Sequence, residues 1–218
     1  KLMSSQLIKF ANEDFFAYPS KILFWKRLNT IIVADLHLGK SVSFARHKQF
    51  LPPYDTKETL NRLFDCINEF KPTKLIIVGD LIHDLLSIKS LEKKDHLDFI
   101  EYAKKIDFIW IKGNHDSQIE ISGLQKVLDY TIDEIIFNHI PIKTSKYQIC
   151  GHFHPKVKIT HRGKSIYKST FVHNNKIFIL PSFGVLTGGL NIDQDPIKDL
   201  LGKKINIFPV GKDKVYKL

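Results

Sequence analysis

Four short apolar runs, each followed at once by polar residues, constrain the fold of this chain more than any other feature. The runs cover residues 30–34, 74–78, 108–111 and 135–137. They are rich in β-branched and aromatic residues, which is the pattern of strands that are buried on both faces. We therefore predict an α/β fold in which these four runs are core strands.

Helical periodicity separates the predicted strands. Between the first two runs, one face of an amphipathic helix is apolar, and its residues are Leu60, Leu63, Phe64 and Ile67. Asp55 or Thr56 is the expected N-cap of this helix, which completes a βαβ unit. Two more helices are expected, over about 90–104 and near 117–128.

The pattern changes after Cys150 to short strands over 165–173 and 176–180, with turn residues between them. This spacing predicts antiparallel hairpins in the second half of the chain. The expected architecture is two sheets packed together with helices outside. Nothing in the sequence has the composition of a linker, a repeat or a low-complexity tract, so we predict a single domain over residues 1–218.

The lengths of the apolar runs also bear on the cellular location of the protein. No apolar run approaches the roughly 18 residues that span a bilayer, and the N-terminus lacks the apolar core of a signal peptide. We therefore expect a cytoplasmic protein with no membrane partner. Cys66 and Cys150 are the only cysteines, and we expect both to be reduced and buried because two cysteines make no disulfide framework.

Five polar clusters hold residue types that bind transition metals. They are Asp35-Leu36-His37, Gly79-Asp80-Leu81-Ile82-His83, Gly113-Asn114-His115-Asp116, Asn138-His139 and Gly151-His152-Phe153-His154. Four of them follow the apolar runs, and open α/β sheets place their sites at the carboxyl ends of strands. Two carboxylates, one amide and several imidazoles are the ligands of a paired transition-metal site that activates water.

The charge of the chain favours an anionic partner. The net charge is +10, and nucleic acid is the first candidate. However, 29 of the 33 basic residues are lysines and they are scattered along the chain, so the charge alone locates no groove. We interpret the basic tail as a solvated edge; its residues are Lys203, Lys204, Lys212, Lys214 and Lys217.

The order DxH, GDxxH, GNHD, H, GHxH resembles the calcineurin-like metallophosphoesterase superfamily, from about Ile31 to His154. The resemblance implies an αββα four-layer sandwich of two mixed β-sheets flanked by helices, and a site for two divalent ions. Its first ion would be held by Asp35, His37 and His154. Its second ion would be held by Asn114, His139 and His152, and Asp80 would bridge both. Mn²⁺ is the expected metal, with Fe²⁺ and Zn²⁺ as alternatives.

The resemblance also implies roles beyond the ligands. His115 would face the scissile phosphate and stabilise charge or protonate the leaving oxygen. His83 stands where many phosphatases of the superfamily have a carboxylate, and this replacement resembles the DNA-repair nucleases. Asp116 would either cap a following helix or tune His115. Lys40 and Arg46 would contact substrate phosphates, with a solvated helix face as the alternative.

An extended form of the first metal motif, together with segments outside the motifs, narrows the resemblance to one subfamily. They are Asp35-Leu36-His37-Leu38-Gly39-Lys40, Phe44, Arg46, Pro52, Leu180-Pro181-Ser182-Phe183-Gly184 and Thr187-Gly188-Gly189-Leu190-Asn191. Together they are similar to the ligase-associated DNA damage response endonucleases. That similarity implies DNA as substrate and a partnership with a DNA ligase and a helicase in bacterial end repair.

The sequence therefore predicts a two-metal-dependent phosphodiesterase, a DNA endonuclease or exonuclease of bacterial repair. A metal-bound hydroxide would attack the phosphodiester, and His115 with His83 would assist the leaving oxygen. One alternative substrate is a cyclic nucleotide or a nucleotide-lipid pyrophosphate; a lipid substrate requires an exposed apolar patch or cap instead of an open basic groove. Another alternative is a non-catalytic protein-binding scaffold, which has no chemical need for His115.

Overall fold

Two mixed β-sheets form the centre of the structure, a computed structural model that describes residues 4–49, 51–52, 54–89 and 93–218. In the first sheet, strands are adjacent in chain order. They are β1 (Gln6–Phe10), β2 (Glu13–Ala17), β3 (Leu23–Trp25), β4 (Thr30–Ala34), β5 (Lys74–Val78), β6 (Asp107–Ile111) and β7 (Lys126–Val127). Strands β1 to β4 pair antiparallel, and β4 to β7 pair parallel.

The second sheet contains the rest of the strands. They are β8 (Tyr130–Ile132), β9 (Ile135–Phe137), β10 (Tyr147–Cys150), β11 (Lys156–His161), β12 (Lys164–His173), β13 (Ile177–Ile179) and β14 (Asn206–Pro209). Their order is β11-β12-β13-β10-β9-β8, with β14 paired to β12. The predicted antiparallel hairpins are confirmed for β11–β12 and β12–β13, but β13 returns parallel to β10.

Helices cover the outer faces of both sheets. They are α1 (Lys40–Arg46), α2 (Asp55–Phe70), α3 (Leu85–Lys89), α4 (Lys93–Lys105) and α5 (Ile197–Leu201), with a 3-10 turn over Lys26–Leu28. Helices α2 and α4 bury apolar faces against the first sheet, and α5 packs on the second. The αββα sandwich is confirmed, although its outer layer over the second sheet is one helix of five residues.

The core between the sheets is aromatic. Phe15 and Trp25 come from the first sheet and Phe137, Phe171 and Phe178 from the second, and all five are fully buried. Burying each such side chain contributes about 1.5–3 kcal/mol. Both cysteines are buried and free, as predicted. Within the described part of the chain, no helix has the length and apolar character of a membrane span.

Helix α2 confirms the predicted βαβ unit, but its cap differs from the prediction. Tyr54 occupies the N-cap position and makes no side-chain cap hydrogen bond. The Asp55 carboxylate instead accepts hydrogen bonds from the backbone and hydroxyl of Ser41, and the Thr56 hydroxyl accepts one from the Gly39 amide. These two side chains therefore hold the start of α1, directly after the first polar cluster.

The two other predicted helices have different outcomes. Helix α4 matches the one expected over 90–104, of which residues 90–92 lie outside the described part. The helix expected near 117–128 is wrong, because this segment forms turns and then β7. Lys126 supplies a physical reason: its ammonium donates to the carbonyls of Asp116, Ser117 and Ile119, and the loop is anchored by these bonds instead of a helical ladder.

Candidate metal centre

The polar clusters converge at the carboxyl ends of strands from both sheets. Asp35 follows β4, Asp80 follows β5 and Asn114 lies three residues beyond β6, all in the first sheet. His139 lies two residues beyond β9, and His152 lies two residues beyond β10, in the second sheet. The site therefore lies where the two sheets meet, and the clusters are not all on neighbouring strands of one sheet.

The backbone of this region is unusual. Five of the seven candidate ligands have left-handed backbone, with φ between 47° and 72°; they are Asp35, His37, Asp80, His152 and His154. Outside glycine this conformation costs roughly 1–2 kcal/mol per residue. Such strain persists where the surrounding structure enforces it, and it clusters at functional sites.

Two glycines make room for the candidate ligands. A Cβ atom on Gly79 would lie 2.0 Å from His139 Nδ1, and one on Gly113 would lie 2.1 Å from Asp80 Oδ1. Gly79 also has a φ of 80°, which other residues rarely adopt. Any larger residue at either position would displace a ligand side chain.

The first group of ligands consists of Asp35, His37 and His154. The Nε2 atoms of His37 and His154 are 3.2 Å apart, and His154 Nε2 lies 3.6 Å from Asp35 Oδ1. One ligand atom from each residue lies within 4.8 Å of the others. Imidazole nitrogens and a carboxylate oxygen thus face one common point.

The second group consists of Asp80, His139 and His152, with Asn114 beside them. His139 Nε2 lies 3.2 Å from His152 Nδ1 and 2.9 Å from Asn114 Oδ1. The other ring nitrogen of His139 donates to the Val78 carbonyl at 3.2 Å, which sets the orientation of the ring. The structure therefore brings all seven predicted ligands into two adjoining groups.

Asp80 faces both groups with one atom. Its Oδ2 lies 3.6 Å from His37 Nε2 in the first group and 3.3 Å from His139 Nε2 in the second. Its Oδ1 accepts a hydrogen bond from the His115 amide at 3.0 Å. The side chain is thus held where one carboxylate can serve two adjoining sites.

Burial and charge set the protonation of these groups. Burial lowers the pKa of His37 to about 2, against the opposing charge of Asp80. Burial also opposes the charged forms of His139 and Asp80. However, their mutual hydrogen bond and charges raise the pKa of His139 to about 9 and hold the pKa of Asp80 below its usual range. The buried carboxylate therefore attracts a positive charge, which a metal ion would supply in place of a proton.

The donor set fits divalent cations. Asp35 and Asp80 are almost completely buried, and in the described part of the chain their ion-pair partners are histidines, with no lysine or arginine. Buried charges are normally paired or bound to a metal. A mixed shell of carboxylate, amide and imidazole suits Mn²⁺, Fe²⁺ and Zn²⁺.

His83 and His115 form a stacked pair beside the first group. Their ring centroids are 4.9 Å apart with an interplanar angle of 23°, and His115 Nδ1 donates to the His83 carbonyl at 2.8 Å. His83 Nδ1 lies 3.3 Å from His37 Nδ1, so His83 contacts the back of a ligand ring. Burial lowers the pKa of His83 to about 4.

Asp116 is fully buried and connects two ligand loops. Its carboxylate accepts hydrogen bonds from the amides of Gly113 at 2.8 Å and Leu81 at 2.6 Å, and from Trp110 Nε1 at 3.1 Å. Because no helix follows, the helix-capping interpretation of this residue is wrong. Asp116 instead ties the loop of His115 to the loop of Asp80.

The two predicted substrate contacts differ in their surroundings. Lys40 begins α1 and lies close enough to His37 and His83 for its charge to lower their pKa values, after burial itself. Arg46 forms an ion pair with Asp84. Lys40 is therefore available beside the site, whereas Arg46 already has a carboxylate partner.

Sequence reasoning missed residues that act through the backbone. Ser182 Oγ donates to the carbonyl of Asp35 at 2.7 Å, and the Val78 carbonyl orients His139. Lys126 anchors the loop after His115. The residue type indicates none of these contacts, because each depends on a carbonyl group brought near by the fold.

Comparison with known proteins agrees with this geometry. A family model described as calcineurin-like phosphoesterase matches residues 28–206. No curated protein matches the chain. Nuclease MPE of Pseudomonas putida has the same fold, with a TM-score of 0.80 and 24% identity over 99% of this chain and 100% of that one. Yfce, a phosphoesterase from E. coli, has a TM-score of 0.46 and 13% identity, over 87% of this chain and 97% of that one.

The family match spans strands β4 to β13, the loops between them and all seven candidate ligands. It includes the two groups of convergent donors and the stacked histidines beside them. Motif order, local geometry and family match therefore agree, and the chain belongs to the calcineurin-like phosphoesterase family as a metal-dependent phosphoesterase.

Proposed function

We propose that this phosphoesterase holds two divalent ions, with Mn²⁺ as the first candidate, and cleaves phosphodiester bonds in DNA. One observation carries the proposal: the exposed His115 lies beside two ligand groups that share Asp80. A phosphodiester that reaches both groups is thereby within range of a histidine that is outside the ligand set.

The proposed ligands divide between two ions in the same way as the two groups described above. Asp35, His37 and His154 would hold one ion, Asn114, His139 and His152 the other, and Asp80 both. When bound, the ions supply Lewis-acid polarisation of a phosphoryl oxygen and lower the pKa of a water nucleophile. The protein contributes backbone hydrogen bonds that orient Asp35, Asp80 and His139.

His115 is proposed as the group that assists the leaving oxygen. A carbonyl only accepts hydrogen bonds, so the contact with the His83 carbonyl places a proton on Nδ1 of His115. Nε2 is then the nitrogen that faces the substrate, and in its protonated form it would stabilise the developing negative charge and deliver a proton. His83 is proposed to position both this ring and the ring of His37, which it contacts from the opposite side.

Three features support DNA as substrate. The chain has a net charge of +10, its loops resemble those of ligase-associated endonucleases, and a protein of the same fold is named a nuclease. The same resemblance leads us to propose a bacterial repair setting in the cytoplasm, with a DNA ligase and a helicase as partners. Lys40 is proposed to contact a substrate phosphate.

A second candidate function has an observation of its own. A cavity of about 500 Å³ adjoins the second ligand group, and exposed apolar side chains of Leu128, Ile140 and Ile142 line it beside Asn114 and His139. Such a wall suits a small phosphodiester or pyrophosphate that carries an apolar group. A nucleotide-lipid pyrophosphate is the corresponding alternative substrate.

The deciding experiment compares substrates on metal-stripped protein. Single-stranded DNA, duplex DNA, bis-p-nitrophenyl phosphate and a nucleotide-lipid pyrophosphate are each incubated with added Mn²⁺ or Zn²⁺, with His115→Ala as control. Metal-dependent DNA cleavage that is lost in the variant is the expected result. Hydrolysis of the small substrates alone would overturn the DNA assignment, and no turnover with either metal would favour the non-catalytic scaffold.

A further inference from the structure

Positive charge is concentrated in the β11–β12 hairpin, residues 156–173. Residues 156–173 hold five lysines and arginines and no aspartate or glutamate, so this segment contributes half of the net charge of +10. The basic residues are Lys156, Lys158, Arg162, Lys164 and Lys168. This clustering corrects the interpretation of the lysines as scattered along the chain.

The hairpin extends past the edge of the sheet on the side of the metal centre. Cys150 and Val172 both pair with Ile179, so Val172 is level with the end of β10, just before the loop of His152. Because β12 runs antiparallel to β13, residues 164–171 lie beyond that level, toward the ligand loops. Residues 170 and 171 still pair with β14, so at roughly 3.3 Å per residue the six residues 164–169 correspond to an overhang of about 20 Å.

The two faces of the hairpin differ. Phe171 lies in the core between the sheets, and by strand alternation Tyr167 lies on the same face, with its partner Lys158. Val172 lies in the outer cluster against α5, and Ile166 and Lys164 share that outer face. We refer to the face of Lys156, Lys158 and Tyr167 as the cleft face of the hairpin.

The cleft face lies next to the metal centre. Lys156 follows the candidate ligand His154 by two residues. Both contact Gly189, where an added Cβ atom would lie 2.1 Å from the His154 carbonyl oxygen and 3.1 Å from Lys156 Cε. Lys40 begins α1 three residues after His37, and the charge of Lys156 adds to burial in lowering the pKa of Lys40. The hairpin and the start of α1 therefore each place a lysine beside the first ligand group.

We propose that the cleft face of the β11–β12 hairpin binds the nucleic-acid strand that the metal centre cleaves. The inference rests on the proposed nuclease function and names the surface that would hold its substrate. Lys156 and Lys158 neutralise backbone phosphates. Tyr167 is 56% exposed and offers a ring on which a base stacks. Since a base must have a free face to stack there, the hairpin selects single-stranded segments over intact duplex.

The test compares the two faces of the same hairpin. The cleft-face variant carries Lys158→Ala and Tyr167→Ala, and the outer-face variant carries Lys164→Ala and Ile166→Ala, so each loses one charge and one large exposed side chain. Binding of a labelled single-stranded oligonucleotide is measured by fluorescence anisotropy in EDTA, where metal-dependent cleavage is prevented. Folding is monitored by circular dichroism, and metal-loaded turnover of bis-p-nitrophenyl phosphate reports the state of the site.

The cleft-face variant is expected to bind about tenfold more weakly or worse, which is typical of losing a stacked base. Its salt dependence should fall by about 0.7 in the slope of log K against log salt, as for one phosphate contact. The outer-face variant should stay near wild type, and both should hydrolyse the small diester normally. Duplex should bind more weakly than the single strand.

The remaining outcomes distinguish a failure of the proposed hairpin role from a failure of the proposed nuclease function. Unchanged binding by the cleft-face variant, or equal losses from the two faces, would overturn the inference; wild-type cleavage of DNA would then still support the nuclease. Strand binding that depends on the cleft face, without DNA cleavage at any metal, would support the hairpin and overturn the nuclease. No strand binding by the wild type would overturn the role of the hairpin.

Discussion

Two buried histidines at opposite edges of the second sheet show how partners decide what a side chain does. At the carboxyl edge, burial disfavours the charged form of His139, but the hydrogen bond to Asp80 and the charges of Asp35 and Asp80 raise its pKa to about 9. At the other edge, His173 is buried against the ring of Phe208, and burial lowers its pKa. One histidine lies beside buried carboxylates that favour a positive charge, and the other packs as an aromatic ring.

This contrast explains why histidine content alone does not locate a site. His173 packs against three aromatic rings, those of Phe10, Phe178 and Phe208. The carboxyl edge differs by having two carboxylates with no lysine or arginine partner in the described part of the chain. Unbalanced buried acid, and not burial, distinguishes the candidate metal centre.

Asp80→Ala should give the largest effect, because it removes the atom that both ligand groups share. We expect loss of bound metal and a fall in turnover of about 10⁴-fold or more, since the bound ions supply most of the charge stabilisation. Metal content by elemental analysis and hydrolysis of bis-p-nitrophenyl phosphate measure these effects. His173→Phe, at the other edge, should keep both the bound metal and the turnover. Metal retention by Asp80→Ala would contradict the difference proposed between the two edges.

His115→Ala should separate catalysis from metal binding within the carboxyl edge. Removing a group that assists the leaving oxygen lowers kcat by about 10²–10³-fold, within the range for general acid–base catalysis. Metal content should not change, because the ring is outside the two ligand groups. Single-turnover kinetics with the metal-loaded variant test this, and a parallel loss of metal would show instead that His115 supports a ligand.

Asp116→Ala should show that the carboxyl edge depends on a buried anchor. The substitution leaves the amides of Gly113 and Leu81 and the indole of Trp110 without their acceptor. Leaving a buried donor unpaired costs about 1–3 kcal/mol, so we expect the free energy of unfolding to fall by about 3 kcal/mol. Urea denaturation measures it, with the exposed Asp129→Ala as control. A change below 1 kcal/mol would argue against the anchor.

His173→Phe should give the smallest effect, in the pH dependence of stability at the other edge. Burial lowers the folded pKa of His173 below the unfolded value of 6.5. Below that pH the unfolded chain takes up a proton that the folded protein resists, so stability is full above about 6.5 and is lost as the pH falls toward the folded pKa. Between pH 7.5 and 5.5 the wild type should therefore lose more stability than the variant, which has no titratable ring at this position.

Urea unfolding in EDTA at both pH values provides this measurement, and the difference between wild type and variant removes contributions from the other histidines. The exposed His47→Ala should behave like the wild type. Equal pH dependence of wild type and His173→Phe would show that the aromatic surroundings do not exclude the proton.

Local sequence patterns were sufficient to predict many of the strands and helices. The runs at 30–34 and 74–78 are strands with the predicted bounds, and the helix between them buries Leu60, Leu63 and Ile67 as its periodicity indicates. The helix expected near 117–128 failed because Lys126 anchors that segment through its carbonyl groups. Periodicity reports which side chains are apolar, and it contains no information on a lysine of the same segment that donates hydrogen bonds to the backbone carbonyls.

By itself the sequence determined the types of the candidate ligands, their order along the chain and their place after apolar strands, because these are properties of short segments. Tertiary structure alone decided that Asp80 faces both ligand groups, that His83 contacts the back of His37, and that the basic hairpin overhangs the site. Those relations depend on strand register and on the packing of two sheets. They join residues that are far apart in the chain, and a local sequence pattern cannot predict such contacts.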